Sequence, residues 1–355
     1  MSVRHLTAMD DTQTMRGLRV QAGFSLVELL VATAIGVILT LLIATVFANS
    51  SKTGTVTQAA SELQQQAAIA LEMLQRDVRL AGYSGCNSNR VLGSGGLVNT
   101  TAGATAYLNN VGVYLAGFEG DGSTFSPAAP AEITGASPVA LNAADAITIR
   151  IPNQEPVALS TTMATADTAL TVYSTTGFST ASRALVSDCA QSAIFRVTAT
   201  TGTTLSHTVS GTTNAVTNLG RAFGPDATVV PFDTVSYYVG RSTVAPLGTE
   251  RSLWRRVNAT AASEEVAEGV EDFQIAYGSD TNGDLSADVF DTADNVADWN
   301  QVIAVRAALL VSSKEANATR AAQSYDFNGV TSNLPTDRRL RKTYYVTILL
   351  RNRTI

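Results

Sequence analysis

The 355-residue sequence is short of most groups that carry out protein chemistry. It has two cysteines, Cys86 and Cys189, and no Cys-x-x-Cys pair, which excludes a zinc site built from four thiolates. It has two histidines, His5 and His207. His5 precedes a long apolar run, so a histidine-based metal centre or triad would rest on His207 alone. No serine stands in a Gly-x-Ser-x-Gly nucleophile elbow. Gly-Ser-Gly-Gly at 93–96 lacks the Lys-Ser/Thr ending of a phosphate-binding loop. Charge is scarce as well, at 15% of residues, with a net charge of −6 and a pI of about 5.0. A global basic footprint for nucleic acid is therefore absent. Hydrophobic residues make up 45%, so the composition is that of a folded chain. The expectation is a protein that is not an enzyme.

What the sequence does have is one long apolar run. No charge interrupts residues 29–51, between Glu28 and Lys52. As a helix that stretch spans about 35 Å, enough to cross a hydrocarbon core of about 30 Å. It is too long for a secretory signal peptide, and Ala48-Asn49-Ser50 is only a weak cleavage site. Arg4, Arg16 and Arg19 precede it and predict a cytoplasmic N-terminus with the remainder outside. Glu28 does not suit a plain anchor, because a carboxylate in the apolar phase costs several kcal/mol unless it finds a partner.

Helical periodicity continues beyond the run. Val56, Ala60, Leu63, Ala67, Ala70, Leu74 and Val78 recur at spacings of three and four, and Gly82 follows as a left-handed stop. The pattern predicts one helix from Phe24 to Ala81, about 85 Å long, with its second half packed on a sheet. From residue 83 the composition turns to Gly, Thr, Ser, Ala and Asn around short β-forming runs. Strands are predicted at 145–152, 192–200, 233–240, 252–257, 270–278, 302–313 and 342–353, with 93–137 and 158–182 as loops or edge structure. The fold class is α+β: a long N-terminal helix on a mostly antiparallel, β-rich head.

Gly23-Phe24-Ser25-Leu26-Val27-Glu28 resembles the cleavage and methylation motif of type IV prepilins. The resemblance implies that a prepilin peptidase/N-methyltransferase cuts between Gly23 and Phe24 and methylates the new amine of Phe24. It implies a role for Glu28, fifth in the processed chain, in neutralising the N-terminal amine of a neighbouring subunit. Residues 1–23 are then a leader, 24–52 the transmembrane or fibre-core half of the helix, 53–82 its periplasmic half, and 83–355 the head. Met15 would give a shorter, basic leader, and Thr45 stands where many pilins place a proline.

The segments 76–86, 187–198, 253–257, 266–278, 302–313 and 337–353, with His207, resemble PilW-type minor pilins, whose fold is pilin-like. That implies a low-abundance pilin, inserted in the bacterial inner membrane by a single pass, with its head in the periplasm and later on the pilus at the cell surface. It would join other minor pilins and the major pilin, prime type IV pilus assembly, and sit at a tip that carries an adhesin, serving twitching motility and adhesion. Two other readings stay open: a type II secretion pseudopilin, and a membrane-anchored extracytoplasmic binding module in which the motif is incidental. In an oxidising compartment Cys86 and Cys189 are expected to pair, a closure that contributes about 4–5 kcal/mol in the chain-entropy model.

One acidic stretch is unabsorbed by that resemblance. Asp280, Asn282, Asp284, Asp288 and Asp291 fall at positions 1, 3, 5, 9 and 12 of a calcium loop. Leu285 stands where glycine is needed, and position 12 is Asp in place of Glu. A Ca²⁺ site and a plain acidic surface turn are both open. The cations Arg338, Arg339, Arg341, Lys342, Arg351 and Arg353 form a local basic run, read either as a contact for an acidic pilin or DNA or as a solvated strand end. Tyr237, Tyr238, Tyr344 and Tyr345 are expected in strand packing, and Trp254 and Trp299 in the core or an interface.

Overall fold

The structure is a computed structural model that describes residues 24–85, 96–243, 250–259, 262–332 and 336–353. The chain divides into two compact units, Met1–Gly54 and Thr55–Ile355. Their boundary falls within one α-helix, Leu26–Leu80. The predicted helix therefore starts two residues later and ends one earlier than the sequence pattern suggested. Gly82, at φ 75°, takes the left-handed conformation that ends it.

In the first unit the helix is apolar and bare. Leu26, Leu30, Ile38, Leu42 and Phe47 are all more than half exposed. Its length and composition suffice to cross a membrane.

In the second unit one helix face is buried through Ala59, Leu63, Ala67, Ala70, Leu74 and Val78. Ala59 takes the place predicted for Ala60, which is only half-buried. The face packs on two sheets at once. Ile147, Ile149, Tyr237 and Val239 come from the first sheet, and Phe273, Ile275, Val305, Leu309 and Ile348 from the second. Full burial of a leucine such as Leu63 or Leu74 stabilises by roughly 1.5–3 kcal/mol. The stripe therefore holds this half of the helix through tertiary packing more than through helix propensity.

The first sheet is organised around the long strand Thr228–Arg241. Residues 228–232 pair antiparallel with Arg183–Ser187, and residues 232–238 pair with Ala146–Pro152. Residues 235–241 pair with Arg251–Val257. Leu97–Asn99 runs parallel to Ser192–Arg196 in an otherwise antiparallel arrangement. The second sheet has four strands in the order Val289–Asp291, Val270–Ser279, Val302–Ser312, Arg341–Leu349. A separate core of Leu170, Phe195, Leu205, Phe223 and Val229 lies in the region of the small three-stranded sheet.

Several predicted elements are redrawn. The 192–200 run divides into Ser192–Arg196 and Ala199–Thr201, which belong to different sheets. The final strand ends at Leu349, followed by a 3₁₀ turn, Arg351–Arg353. The segment 93–137, expected as loops or edge structure, contains the strand Leu115–Gly120, hidden by its glycines. Gly117 is needed there because a Cβ would come within 2.1 Å of the Tyr277 hydroxyl oxygen. Arg183–Ser187 was not predicted as a strand. It is buried throughout, and its one charged side chain, Arg183, donates from Nε to Asn109 Oδ1 at 2.9 Å.

Candidate assembly and processing site

Gly23 lies outside the described residues. Phe24, whose amine cleavage would create, is 85% exposed at the start of the apolar helix. The next turn is built by a reciprocal pair. The Glu28 backbone N–H donates to Ser25 Oγ at 3.1 Å, and the Ser25 N–H donates to the Glu28 carboxylate at 3.4 Å. The Leu29 N–H then donates to the Ser25 carbonyl at 3.1 Å, the first helical bond. Ser25-Leu26-Val27-Glu28 is thus a capping box that satisfies two donors otherwise left open at a helix start. The Ser-x-x-Glu spacing was legible in the sequence, but Glu28 was considered there only as a group that meets a neighbouring chain. Glu28 stays exposed, so its carboxylate is accessible to a second donor.

At the head half of the helix, Asp77 is a buried anchor that periodicity did not reveal. Its Oδ2 accepts from the Tyr237 hydroxyl at 2.7 Å and from Arg255 Nε at 2.9 Å. Arg255 Nε also lies 3.1 Å from the Tyr237 oxygen, and Arg76 Nε reaches Asp77 Oδ1 at 3.2 Å. Burial, and then the Asp77 charge, push the Tyr237 phenol above its usual range. The group fixes helix rotation against the long strand, because a turned helix would leave a carboxylate and a guanidinium unpaired in the core.

Asp145 ties the two sheets together. One carboxylate oxygen accepts the Gly120 N–H at 3.0 Å from the first sheet, and the other accepts the Ile275 N–H at 2.7 Å from the second. Its own N–H donates to the Phe273 carbonyl at 2.8 Å. Burial, reinforced by Glu119 and Asp272, raises its pKa to about 8 against the two stabilising N–H bonds.

Cys86 lies outside the described residues. Cys189 sits at φ 65° in the turn between Arg183–Ser187 and Ser192–Arg196. Asp188 Oδ1 holds that turn by accepting the Ala190 and Gln191 N–H groups at 3.1 and 2.9 Å. The segment just before Cys86 lies against the same hairpin. Ser192 Oγ donates to the Ser84 carbonyl, and a Cβ on Gly85 would fall 2.2 Å from Ser187 Cβ.

The calcium-spaced residues form a turn that satisfies itself. Asp280 accepts the Gly283 and Leu285 N–H groups at 2.5 and 2.9 Å, and Asp284 accepts the Ser286 N–H at 2.8 Å. Asp288 Oδ2 accepts the Thr281 N–H and hydroxyl, both at 2.7 Å, which holds its pKa below the usual value. Asn282 turns its amide to Asp284 and Asp288. Asp291 is fixed in a strand opposite Tyr277. Among the described residues, no three His, Cys, Asp or Glu side chains come together as a metal-binding group.

The basic run is mostly occupied by its own chain. Arg339 meets Glu250 and Asp337, and Arg341 is held by Glu271 at 2.8 Å and Asp337 at 2.7 Å. Arg338 donates to Asn317. Arg353 is buried 4.8 Å from the Tyr114 ring centroid. His207 is buried against Phe195, with Nε2 at 2.8 Å from the Thr168 carbonyl, so it serves as packing. Burial lowers its pKa. Tyr237 and Tyr238 are in the core as expected, Tyr344 is half-buried, and Tyr345 is 53% exposed. Trp254 is buried, and Trp299 packs edge-on to Tyr277 at 4.8 Å.

Residues 18–44 match the family described as the prokaryotic N-terminal methylation motif, which takes in Gly23, Phe24 and Glu28. Residues 236–352 match the family described as type IV pilus-assembly protein W. The two matches support a type IV pilus-related pilin, with similarity to the PilW type over the C-terminal third. The PilW match begins within the long strand and runs through the whole four-stranded sheet. The similar segments at 76–86 and 187–198 lie outside it. No curated protein and no solved structure matches the chain. The methylation motif implies processing by a prepilin peptidase and association with other pilins, and with the apolar helix it fits a pilin anchored in the inner membrane.

Proposed function

We propose that the chain is a minor pilin that primes type IV pilus assembly in a complex with other minor pilins at the pilus tip. The observation that carries this is the joining of a processing motif, Gly23 to Glu28, on a bare apolar helix to a PilW-type head in one chain. In this reading residues 1–23 are removed and 24–52 lie in the membrane and then in the fibre core. Residues 53–82 and 83–355 face the periplasm and then the cell surface. Glu28 acts by exchanging its own capping contact for the methylated amine of a neighbouring subunit. That pairing penalises misregistered assembly more than it strengthens correct assembly. The chain is a substrate of the processing enzyme and catalyses nothing itself.

We also propose a Cys86–Cys189 disulfide. It is supported by the packing of Ser84 and Gly85 on the hairpin that carries Cys189. It would fasten the end of the long helix to the first sheet.

Mass spectrometry of the N-terminal peptide, from membranes and from sheared surface fibres, tests the reading. The expected result is N-methyl-Phe24 in both fractions. An uncleaved leader in membranes with no chain in fibres would reduce the protein to an anchored module. Loss of enzyme export on deletion, with twitching intact, would move the assignment to a type II secretion pseudopilin.

A further inference from the structure

One face of the first sheet carries three arginines that share no carboxylate. Arg183 stands opposite Arg196 on one side and opposite Phe232 on the other. Arg150 stands opposite Thr234, two residues beyond Phe232 on the same strand, so alternation puts all three cations on one face. The Val197 N–H donates to the Ser182 carbonyl at 2.9 Å. The adjoining Arg183–Arg196 position is therefore a non-bonded pair, the kind whose Cα atoms lie about 4.5 Å apart. Like charges placed directly opposite one another destabilise a sheet. These are also withdrawn from water: Arg150 is 3% exposed, Arg183 is 6% exposed and Arg196 is half-buried.

Their hydrogen bonds go to neutral acceptors. Arg150 donates from Nη2 to the Tyr107 carbonyl at 2.7 Å and from Nη1 to the Val113 carbonyl, and its Nε is buried without a partner. Arg183 donates from Nε to Asn109 Oδ1 at 2.9 Å. Arg196 donates from Nε to the Ala181 carbonyl at 3.3 Å and from Nη1 to the Thr212 carbonyl at 3.1 Å. Among the described residues, the two terminal nitrogens of Arg183 and Nη2 of Arg196 have no acceptor. The charge of Asp233 bears on Arg183, but Asp233 lies on the opposite face by alternation. Its oxygens already accept from Asn153 at 2.9 Å and Asn258 at 2.8 Å. By contrast Arg255, Arg339 and Arg341 reach Asp77, Glu250 and Glu271. Burial, and after it the charge of Arg196, lowers the pKa of Arg183 to about 10. Burial, with the charge of Arg183 added, lowers that of Arg150 to about 10, so both stay charged at neutral pH. Buried charge that meets only neutral acceptors is costly, and the group this face lacks is an anion.

We propose that Arg183 and Arg196 bind an oxyanion of the carboxylate or phosphate class. Its oxygens accept from the terminal nitrogens of Arg183 and from Nη2 of Arg196, the planar donors that suit such a group. Arg150, on the same face, adds its charge without touching the ligand. The bound anion offsets the repulsion between the paired arginines, so binding stabilises the head. The inference goes beyond the assembly reading and does not depend on it.

The test is the melting temperature of the full chain in detergent at neutral pH, in sodium phosphate, sodium acetate and sodium chloride of equal ionic strength. The expected result is a rise over chloride that saturates, reaching about 3 °C at tenfold excess over Kd. A rise with phosphate alone assigns a phosphate-type group, and a rise with acetate alone assigns a carboxylate. Arg183→Gln abolishes the rise. Arg196→Gln, at the more exposed member of the pair, abolishes it as well and serves if the first variant fails to fold. Arg306→Gln, an exposed position on the second sheet, keeps it. Salts of this kind also stabilise proteins without a site, so a rise of equal size in Arg196→Gln overturns the proposal. The absence of a saturable rise with either anion overturns it too.

Discussion

The Tyr237 hydroxyl donates to Asp77 Oδ2 across 2.7 Å, between the long helix and the longest strand of the head, with both residues fully buried. Arg255, from the strand paired with that one, closes the group. Removing one partner of a buried ion pair leaves the other charge without compensation, at about 3–5 kcal/mol. Asp77→Ala should therefore lower stability by about that much in thermal or urea unfolding of the full chain in detergent. Tyr237→Phe, which removes one hydrogen bond to a charged group, should cost about 1.5–3 kcal/mol. Equal, small losses for both would show that Arg255 escapes to solvent.

Ser25 and Glu28 cap the same helix start but are expected to part in function. Ser25→Ala should cost about 1 kcal/mol of helix stability and leave entry into fibres largely unchanged. Glu28→Ala should permit cleavage after Gly23 yet sharply reduce the amount of chain recovered from sheared fibres. Immunoblots of membrane and fibre fractions decide it. Normal recovery of the Glu28 variant would confine that residue to capping.

Asp145 predicts a pH dependence with a definite sign. Its pKa is raised from 3.8 unfolded to about 8 folded, so between those values the folded chain holds more protons. Its contribution to stability is full below about pH 4 and is lost as pH rises towards 8. His207, lowered by burial, gives the opposite slope below its unfolded value of 6.5. The difference between wild type and Asp145→Asn isolates the first effect. Asp145→Asn should flatten the decline in melting temperature between about pH 5 and 8. An unchanged slope would show that water reaches the carboxylate.

The 280–291 turn is expected to depend on its own hydrogen bonds. Asp288→Ala removes the acceptor for the Thr281 N–H and hydroxyl and should lower the melting temperature slightly. Millimolar calcium should leave the melting temperatures of wild type and variant unchanged. A rise confined to wild type would show that the carboxylates rearrange around a cation.

Much of the architecture was written in local pattern. The apolar stripe from Leu63 to Val78, with Gly82 after it, marked a helix and its end, because a period near 3.6 and a residue free to take positive φ are local properties. The 145–152, 252–257, 270–278 and 302–313 runs marked strands for the same reason. The Gly23–Glu28 motif was legible because a processing enzyme reads a short linear segment, and fold is not needed to present it. The glycine-rich strand Leu115–Gly120 was not legible, since its glycine answers to Tyr277, far away in sequence.

The sequence by itself determined a membrane-length helix, a methylation motif at its start and a β-rich head. Only the tertiary structure decided what the polar residues do. Asp77 and Asp145 look like any surface aspartates in a linear chain; burial and partners more than a hundred residues away make one a helix anchor and the other a sheet clasp. The residues at calcium-like spacing form a turn whose carboxylates accept backbone N–H groups, an arrangement set by the turn's geometry.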